Sequence, residues 1–426
     1  MAVKVLHAAD LHIDSPLRGL PNDGLGEVAR GATRRAFVRL VDFALAEGVQ
    51  VVLLAGDVFD GDWKDAQTGQ FFTQQLLRLT TVGVEVFLVL GNHDAEGKLS
   101  RLWVLPKGAH LFSAGEHAQT EIRSGLGIAV HGWSFPVQRV TDDPLPRFPK
   151  PIPEMVNFGL LHTNLDGGQG HSDYAPTRSA ALFDHGYDYW ALGHVHTRTV
   201  HEQAGRYIVY PGNLQGRHVR ECPAPNDPGK GATLVTVEGG RITGLRHVSL
   251  DVLHWRDVSV DVSGVEDVPG AVDRAVSALS AWMGGACPVA ARVRLQGACA
   301  AHGALLSAGG RLREIVVDLV QRDGGVFVEE VRVETRPARP PPDDALEVAL
   351  RQVLQRIQQD PAVQKSFLDF VVGGLQRVED GHSEVRAAME DTLYAKLRPR
   401  DGGVQPALDA LSAEAQEVLR ARLLDG

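Results

Sequence analysis

The chain has 426 residues, of which 44% are hydrophobic and 23% are charged. This is the composition of an ordinary globular protein with two or three domains. Its formal net charge of −10 argues against a protein that coats DNA non-specifically, because such binding needs many Lys and Arg side chains against phosphates.

The first two hundred residues alternate between short apolar runs and segments with helical spacing. Continuous apolar runs of this length are typical of strands covered on both faces. Such alternation predicts a layered α/β fold. The predicted strands are residues 3–8, 49–55, 84–90, 156–161 and 187–192, and the predicted helices are residues 27–47 and 68–81.

The rest of the chain predicts two further regions. Strands at 207–211 and 232–237 close a first domain, expected at 1–250. Strand-like stretches and two helical segments then indicate a small α+β capping domain at 251–336. A proline-rich linker opens the third region, 337–426, which has a helical pattern. Its apolar stripe at 345–358 must be buried, either on its own domain or against a partner, and the region is expected to bind a partner.

The chain begins with six residues that turn polar by His7, too short for a signal peptide, and no apolar stretch could span a bilayer. We therefore expect a cytoplasmic protein with no membrane contact. Its three cysteines, Cys222, Cys287 and Cys299, are sparse and odd in number. We expect them to be thiols and not disulfides or zinc ligands.

Polar motifs follow the predicted strands at the point where each strand ends. In open α/β sheets, ligands bind outside the carboxyl ends of the strands, so these segments should meet at one edge. Each motif alone is weak: an Asp-x-His pair is common, and an Asn-His-Asp string also suits a turn. The motifs are Asp10-Leu11-His12, Gly56-Asp57-Val58-Phe59-Asp60, Gly91-Asn92-His93-Asp94, a lone His162, and Gly193-His194-Val195-His196.

The ordered set predicts a two-metal site for cleaving phosphate esters. Two cations can activate water and neutralise an anionic ester, and such a site needs a shared carboxylate among mixed ligands. Oxygen and imidazole ligands without thiolate fit manganese, iron or similar ions better than structural zinc.

This ordered set resembles the calcineurin-like metallophosphoesterase superfamily. The resemblance implies two divalent ions per chain, with manganese favoured, and a bridging Asp57. It also implies that His93 faces the substrate and assists departure of the leaving oxygen. The implied ligands of one metal are Asp10, His12, Asp57 and His196, and those of the other are Asp57, Asn92, His162 and His194.

Three longer strings, at residues 6–17, 188–196 and 210–218, resemble the YhaO-type DNA repair exonucleases, relatives of the SbcD nucleases. The resemblance implies a metal-dependent DNA nuclease acting from the 3′ end, with single-strand endonuclease activity as a further expectation. It also implies a homodimer and a coiled-coil ATPase partner of the SbcC or YhaN kind. The alternatives are a small-molecule phosphodiesterase on the same scaffold and a catalytically weak scaffold subunit that recruits the ATPase.

Asp60 departs from the pattern of SbcD-like enzymes, which usually carry histidine at this position. It could orient His93 through a hydrogen bond, as carboxylates orient imidazoles elsewhere, or it could cap the following turn. The departure puts strong exonuclease activity of the isolated subunit in doubt. The candidate DNA contacts are Arg18, Arg34, Arg35, Lys98, Arg101, Arg198 and Arg217.

Overall fold

The structure is a computed structural model. It describes residues 2–15, 17, 29, 31–61, 66–96, 105–167, 174–222, 229–285, 287–320 and 325–338. Residues 1–338 form one compact unit and residues 339–426 form a second. The predicted linker and partner-binding region, 337–426, lies outside the described residues from position 339 onward.

Strands and helices alternate along the first unit, as the apolar periodicity predicts. The strands are β1 Val3–Ala8, β2 Val51–Ala55, β3 Glu85–Val89, β4 Ala109–Leu111, β5 Gln119–Arg123, β6 Ile128–Trp133, β7 Val156–His162, β8 Tyr189–Gly193, β9 Thr199–Gln203, β10 Arg206–Tyr210, β11 Gly231–Glu238, β12 Arg241–Ser249, β13 His254–Asp261, β14 Val289–Cys299 and β15 Val326–Pro337. The helices are α1 Ala32–Glu47, α2 Ala66–Thr81, α3 Asn92–Glu96, α4 Ser179–His185, α5 Val268–Leu279, α6 His302–Ala308 and α7 Gly310–Val320.

Two six-stranded sheets form the larger part of the described unit. The first has the order β12-β11-β1-β2-β3-β4, and the second has the order β5-β6-β7-β8-β10-β9. Strands β1 to β4 are parallel, and so are β6, β7 and β8. Both sheets therefore collect the carboxyl ends of their central strands at one edge.

Apolar side chains of the two sheets face each other and form a shared core. Val51 and Leu53 of β2 pack there with Phe158 and Leu160 of β7, all fully buried. On the outer face of the first sheet, α1 and α2 supply a second core. The predicted layered α/β fold is confirmed, and the face-to-face packing explains why strands such as β2 are apolar at every position.

A third, three-stranded sheet (the small sheet) follows, with strand order β13-β14-β15. The predicted strands and helices of this region are present. Both strand pairs are parallel, and the intervening helices α5 and α7 bury one face of the sheet. The connections are therefore βαβ crossovers, since parallel neighbours cannot be joined by a tight hairpin.

The small sheet is joined to the larger sheets by a compact set of contacts. Trp255 is buried with Val219 and Leu253, and its indole Nε1 donates to the Gly216 carbonyl at 2.9 Å. The amide of Gln215 donates to the Leu253 carbonyl at 2.8 Å. The Gln215–Gly216 segment is therefore hydrogen-bonded to both Leu253 and Trp255.

Two further expectations concern the whole chain. All three cysteines are free thiols, with Cys299 buried. Among the residues that the structure describes, none of the helices has the length and apolar character needed to cross a membrane.

Candidate metal centre

The strand ends bring the predicted ligands to one edge, as expected. Asp10, Asp57 and Asn92 come two or three residues after β1, β2 and β3, while His162 ends β7 and His194 follows β8. His162 also ties the sheets together, because its Nδ1 lies 3.0 Å from the Ala55 carbonyl and donates to it. Because this bond holds the proton on Nδ1, Nε2 of the neutral ring carries a lone pair that is directed into the site.

Four residues of this edge have a left-handed backbone, which non-glycine residues seldom adopt. The φ angles are 51° at Asp10, 42° at His12, 49° at Asp57 and 100° at His194. Each such position costs about 1–3 kcal/mol and persists where the surrounding structure imposes it. Among the described residues, nine non-glycine positions have a positive φ, and four of these are predicted ligands.

Two glycines of the motifs are required by close approach of the neighbouring chain. A methyl group on Gly91 would overlap the carboxylate of Asp57. A methyl group on Gly193 would overlap the carbonyl oxygen of Ala55. These glycines let the β2, β3 and β8 ends touch, so the side chains beside them converge.

The first group of ligands is formed by Asp10, His12 and His196, whose donor atoms lie within 4.8 Å of one another. The Nε2 atoms of His12 and His196 face each other at 3.2 Å. Nδ1 of His196 donates to a carboxylate oxygen of Glu221 at 2.7 Å, so its Nε2 carries a lone pair. Nδ1 of His12 lies 3.4 Å from Asp60, which favours the same tautomer.

The second group contains Asp57, Asn92 and His162. Nε2 of His162 lies 3.0 Å from Oδ1 of Asn92 and 3.4 Å from Oδ2 of Asp57. The ring of His194 packs edge-on against His162, with centroids 5.2 Å apart. The backbone N–H of His194 donates to both oxygens of Asp10, at 3.0 and 3.1 Å.

Asp57 lies between the two groups. Its Oδ2 is 3.9 Å from Nε2 of His12 and 3.4 Å from Nε2 of His162. Burial alone would raise the pKa of Asp57, but the charge and hydrogen bond of His162 outweigh burial and lower it. Burial would likewise lower the pKa of His162, whereas Asp57 raises it to about 9. Without a metal ion, the negative charge of Asp57 therefore favours a proton on Nε2 of His162, at the position that a bound cation would occupy.

These residues fit divalent metal ions. Two facing lone pairs on His12 and His196 repel each other unless a cation lies between them, and neutral imidazole is a common metal ligand. The buried carboxylates of Asp10 and Asp57 supply compensating negative charge. All seven predicted ligand residues contribute to this edge, and none of them is a thiolate.

Asp60 and His93 form a pair beside the two groups. Nδ1 of His93 lies 3.1 Å from Oδ1 of Asp60. Asp60 accepts from the imidazole of His93 and so raises the pKa of His93, and the neighbouring imidazoles of His12 and His93 lower the pKa of Asp60. The hydroxyl of Ser15 donates to Asp60 at 2.9 Å, and a guanidinium nitrogen of Arg217 lies 3.5 Å away. Asp60 thus holds one tautomer of His93.

Comparison with known proteins gives the family. Residues 3–198 match the calcineurin-like phosphoesterase family, and residues 255–336 match the family described as metallophosphoesterase YhaO, middle domain. The first match spans every predicted ligand, from Asp10 to His196.

The chain is also similar to curated proteins. It is 32% identical to the uncharacterized metallophosphoesterase YhaO of Bacillus subtilis over 68% of this chain and 71% of that protein. It is 26% identical to the DNA double-strand break repair protein Mre11 of Methanopyrus kandleri over 62% of this chain and 60% of that protein. It is 34% identical to the SbcD component of the SbcCD nuclease of Rhodobacter capsulatus over 23% of each chain.

The chain belongs to the calcineurin-like metallophosphoesterases. Within that superfamily, the match to YhaO and the similarity to Mre11 and SbcD proteins support the DNA repair nuclease branch. The resemblance drawn from the sequence strings is therefore confirmed. For this metallophosphoesterase, the family supports use of divalent metal and hydrolysis of phosphate esters.

Two carboxylates of the metallophosphoesterase site were missed by the sequence analysis as functional residues. Asp94 is buried and accepts from the backbone N–H groups of Val58, Phe59 and Gly91 at 2.9 to 3.1 Å. It thereby fixes the loops that carry Asp57 and Asn92. The Gly-Asn-His-Asp string contains the signal for Asp94, whereas no local pattern marks Glu221, 25 positions after His196.

The candidate DNA contacts divide into four groups. Arg35 is exposed on α1. Arg18, Lys98 and Arg101 lie outside the described residues. Arg34 forms a bidentate pair with Asp14 and packs over the Phe71 ring at 5.1 Å. Arg217 lies at the site edge beside Asp60, and Arg198 follows His196 by two positions with a part-buried guanidinium.

Proposed function

We propose that this metallophosphoesterase is a two-metal DNA nuclease that hydrolyses phosphodiester bonds from a 3′ end. The observation that carries the proposal is the pair of facing Nε2 atoms of His12 and His196, 3.2 Å apart. Asp57 reaches from that pair to His162. Such an arrangement suits two neighbouring ions with one shared carboxylate.

We assign one ion to Asp10, His12, Asp57 and His196, and the other to Asp57, Asn92, His162 and His194. Manganese suits this mixture of imidazole, amide and carboxylate ligands. When bound, the two ions supply an activated water nucleophile and neutralise charge on the phosphate.

His93 supplies the proton for the leaving oxygen. Its side chain is 38% exposed and therefore accessible to a substrate. Asp60 accepts from Nδ1, which leaves the proton on Nε2 of the cationic imidazole as the one to be transferred. The raised pKa of His93 favours that cationic form.

DNA is the substrate class that the surroundings of the site and the relatives support best. Arg217 provides positive charge beside Asp60 at the edge of the site, which suits a phosphate flanking the cleaved bond. The relatives include proteins named for DNA double-strand break repair and for nuclease activity. We further propose a homodimer and an ATPase partner with coiled coils of the SbcC or YhaN kind.

The test uses purified protein with Mn²⁺ against end-labelled DNA and against bis(p-nitrophenyl) phosphate. We expect release of nucleotides from the 3′ end, with removal of metal by a chelator stopping both reactions. Cleavage of the small ester without any cleavage of DNA would favour the small-molecule phosphodiesterase. Two bound ions without either reaction would favour the scaffold subunit.

A further inference from the structure

Glu221 is a buried carboxylate at the end of the 3₁₀ turn Val219–Glu221. Its side chain is 7% exposed and points back to His196. One oxygen, Oε1, accepts from Nδ1 of His196 at 2.7 Å. Glu221 therefore contacts the predicted metal ligand His196, although it lies 25 positions beyond the motif that contains His196.

The second oxygen of Glu221 accepts two more hydrogen bonds. The side-chain amide of Asn213 donates to Oε2 at 2.8 Å, and the backbone N–H of Arg217 donates at 2.7 Å. With three donors aimed at its two oxygens, the site requires a group that only accepts. A carboxylate satisfies all three donors, whereas an amide would turn its own N–H₂ toward at least one of them.

We propose that Glu221 is the positioning residue that holds His196 as a metal ligand. The proposal rests on the two-metal function proposed above. The bond to Nδ1 fixes the proton there, so Nε2 keeps its lone pair and a single ring orientation toward His12. Oriented imidazoles bind metal more tightly because their outer partner fixes the tautomer and raises the basicity of the ring.

Glu221 is itself held in place by its neighbours. The thiol of Cys222, the next residue, donates to the Trp255 carbonyl at 3.0 Å. Val219, at the start of the same turn, is buried against Trp255 and Leu253. The turn is anchored to the small sheet, so Glu221 offers His196 a fixed partner.

The test is a calorimetric titration of metal-free protein with Mn²⁺. We expect wild type to bind two ions. Glu221→Gln should bind one ion as wild type does and the other about 10–100-fold more weakly. The exposed Glu238 on β11 provides a matched control, and Glu238→Gln should bind both ions normally.

A double-mutant cycle separates positioning from a merely structural role. His196→Gln should weaken the same ion as Glu221→Gln, and the double variant should be no weaker than His196→Gln alone, because the two residues act as one unit. Metal-free Glu221→Gln should melt below the Glu238→Gln control, because a buried donor loses its acceptor. The readout that supports positioning is therefore the selective weakening of one ion.

Three results would overturn the proposal: unchanged binding of both ions by Glu221→Gln, equal weakening of both ions, or additive losses in the double variant. If Glu221→Gln does not fold, Glu221→Asp keeps the charge and shortens its reach, and normal affinity for both ions would refute the proposal.

The failure of this proposal is distinguishable from failure of the proposed function. Wild type that binds two ions and cleaves no phosphodiester would refute the nuclease, while the Glu221 measurement would still decide the positioning role. Wild type that binds no ion would overturn both.

Discussion

Three imidazoles of the centre each use one ring nitrogen for an oxygen partner and keep the other for the site. His162 bonds the Ala55 carbonyl, His93 bonds Asp60, and His196 bonds a carboxylate. Each partner fixes the position of a proton, so each free nitrogen has a defined role. The site is therefore specified by the second partner of each ring as much as by the ring itself.

Asp57 should be the residue whose loss removes metal most severely. In Asp57→Asn we expect at most one bound ion and loss of nearly all phosphodiesterase turnover, because an amide cannot supply charge to two ions. Metal analysis of the purified variant checks this, with Asp261→Asn, an exposed strand residue, as the control. Two ions and normal turnover would remove Asp57 from its bridging position.

His93 should matter for turnover and not for metal binding. His93→Ala should keep two ions and lower turnover by about a hundredfold or more, the usual size for a positioned acid. Steady-state kinetics on bis(p-nitrophenyl) phosphate and metal analysis of the same sample provide the measurement. A collapse of the metal content would mean that His93 is a ligand.

Asp60 has two competing roles that the same variant separates. If it orients His93, Asp60→Ala should lower turnover by about tenfold or more with both ions retained. If it only caps a turn, the melting temperature should fall while turnover per folded molecule stays constant. Asp60→His, which restores the residue of SbcD-like enzymes, then tests whether activity on DNA rises more than activity on the small ester.

At the level of secondary structure, the start of β13 carries an ion pair whose effect depends on pH. Nε2 of His254 lies 3.1 Å from Asp251, and its side chain is 21% exposed. Asp251 accepts a hydrogen bond from His254 and, together with the neighbouring Cys287, raises the pKa of His254 to about 9. An ordinary histidine has a pKa of 6.5, so folding favours the cation.

The stabilisation from this pair should be complete below pH 6.5 and disappear as pH rises through about 9, because the raised pKa belongs to the folded state. Allowing for partial exposure, we expect a loss of about 1–2 kcal/mol in the free energy of unfolding. Urea unfolding of wild type and His254→Gln at pH 6 and pH 9.5 measures it, with His201→Gln as the control. An equal pH dependence in both variants and wild type would contradict the assignment.

The sequence predicts the strands and the ligands at their ends better than it predicts which residues contact those ligands. Continuous apolar runs located β1, β2, β3, β7 and β8, and the residues at or just beyond the ends of these strands include all seven predicted ligands. β6 escaped because its run is interrupted by His131, a polar residue that is buried only because Thr120 and Asn157 bond its two nitrogens. The role of Glu221 was not predicted because its contact with His196 depends on the tertiary fold and not on a local sequence pattern.

At the level of the whole molecule, the 337–426 region should serve assembly and not chemistry. A chain ending at Pro341 should cleave bis(p-nitrophenyl) phosphate within about twofold of the full chain, since every proposed ligand precedes it. It should no longer co-purify with the SbcC-like ATPase. Co-expression and pull-down of both forms with that ATPase test this, and undiminished capture by the short form would refute the assignment.

The anchoring of the Val219–Glu221 turn by Trp255 has a consequence for how members of this family can be recombined. A chimera that exchanges residues 255–336 between two relatives would replace Trp255 and keep Gly216 and Val219, the residues that Trp255 contacts. Such a hybrid would retain every ligand and still misplace Glu221, the partner of His196. A functional chimera would need to take residues 213–222 and the small sheet from the same parent.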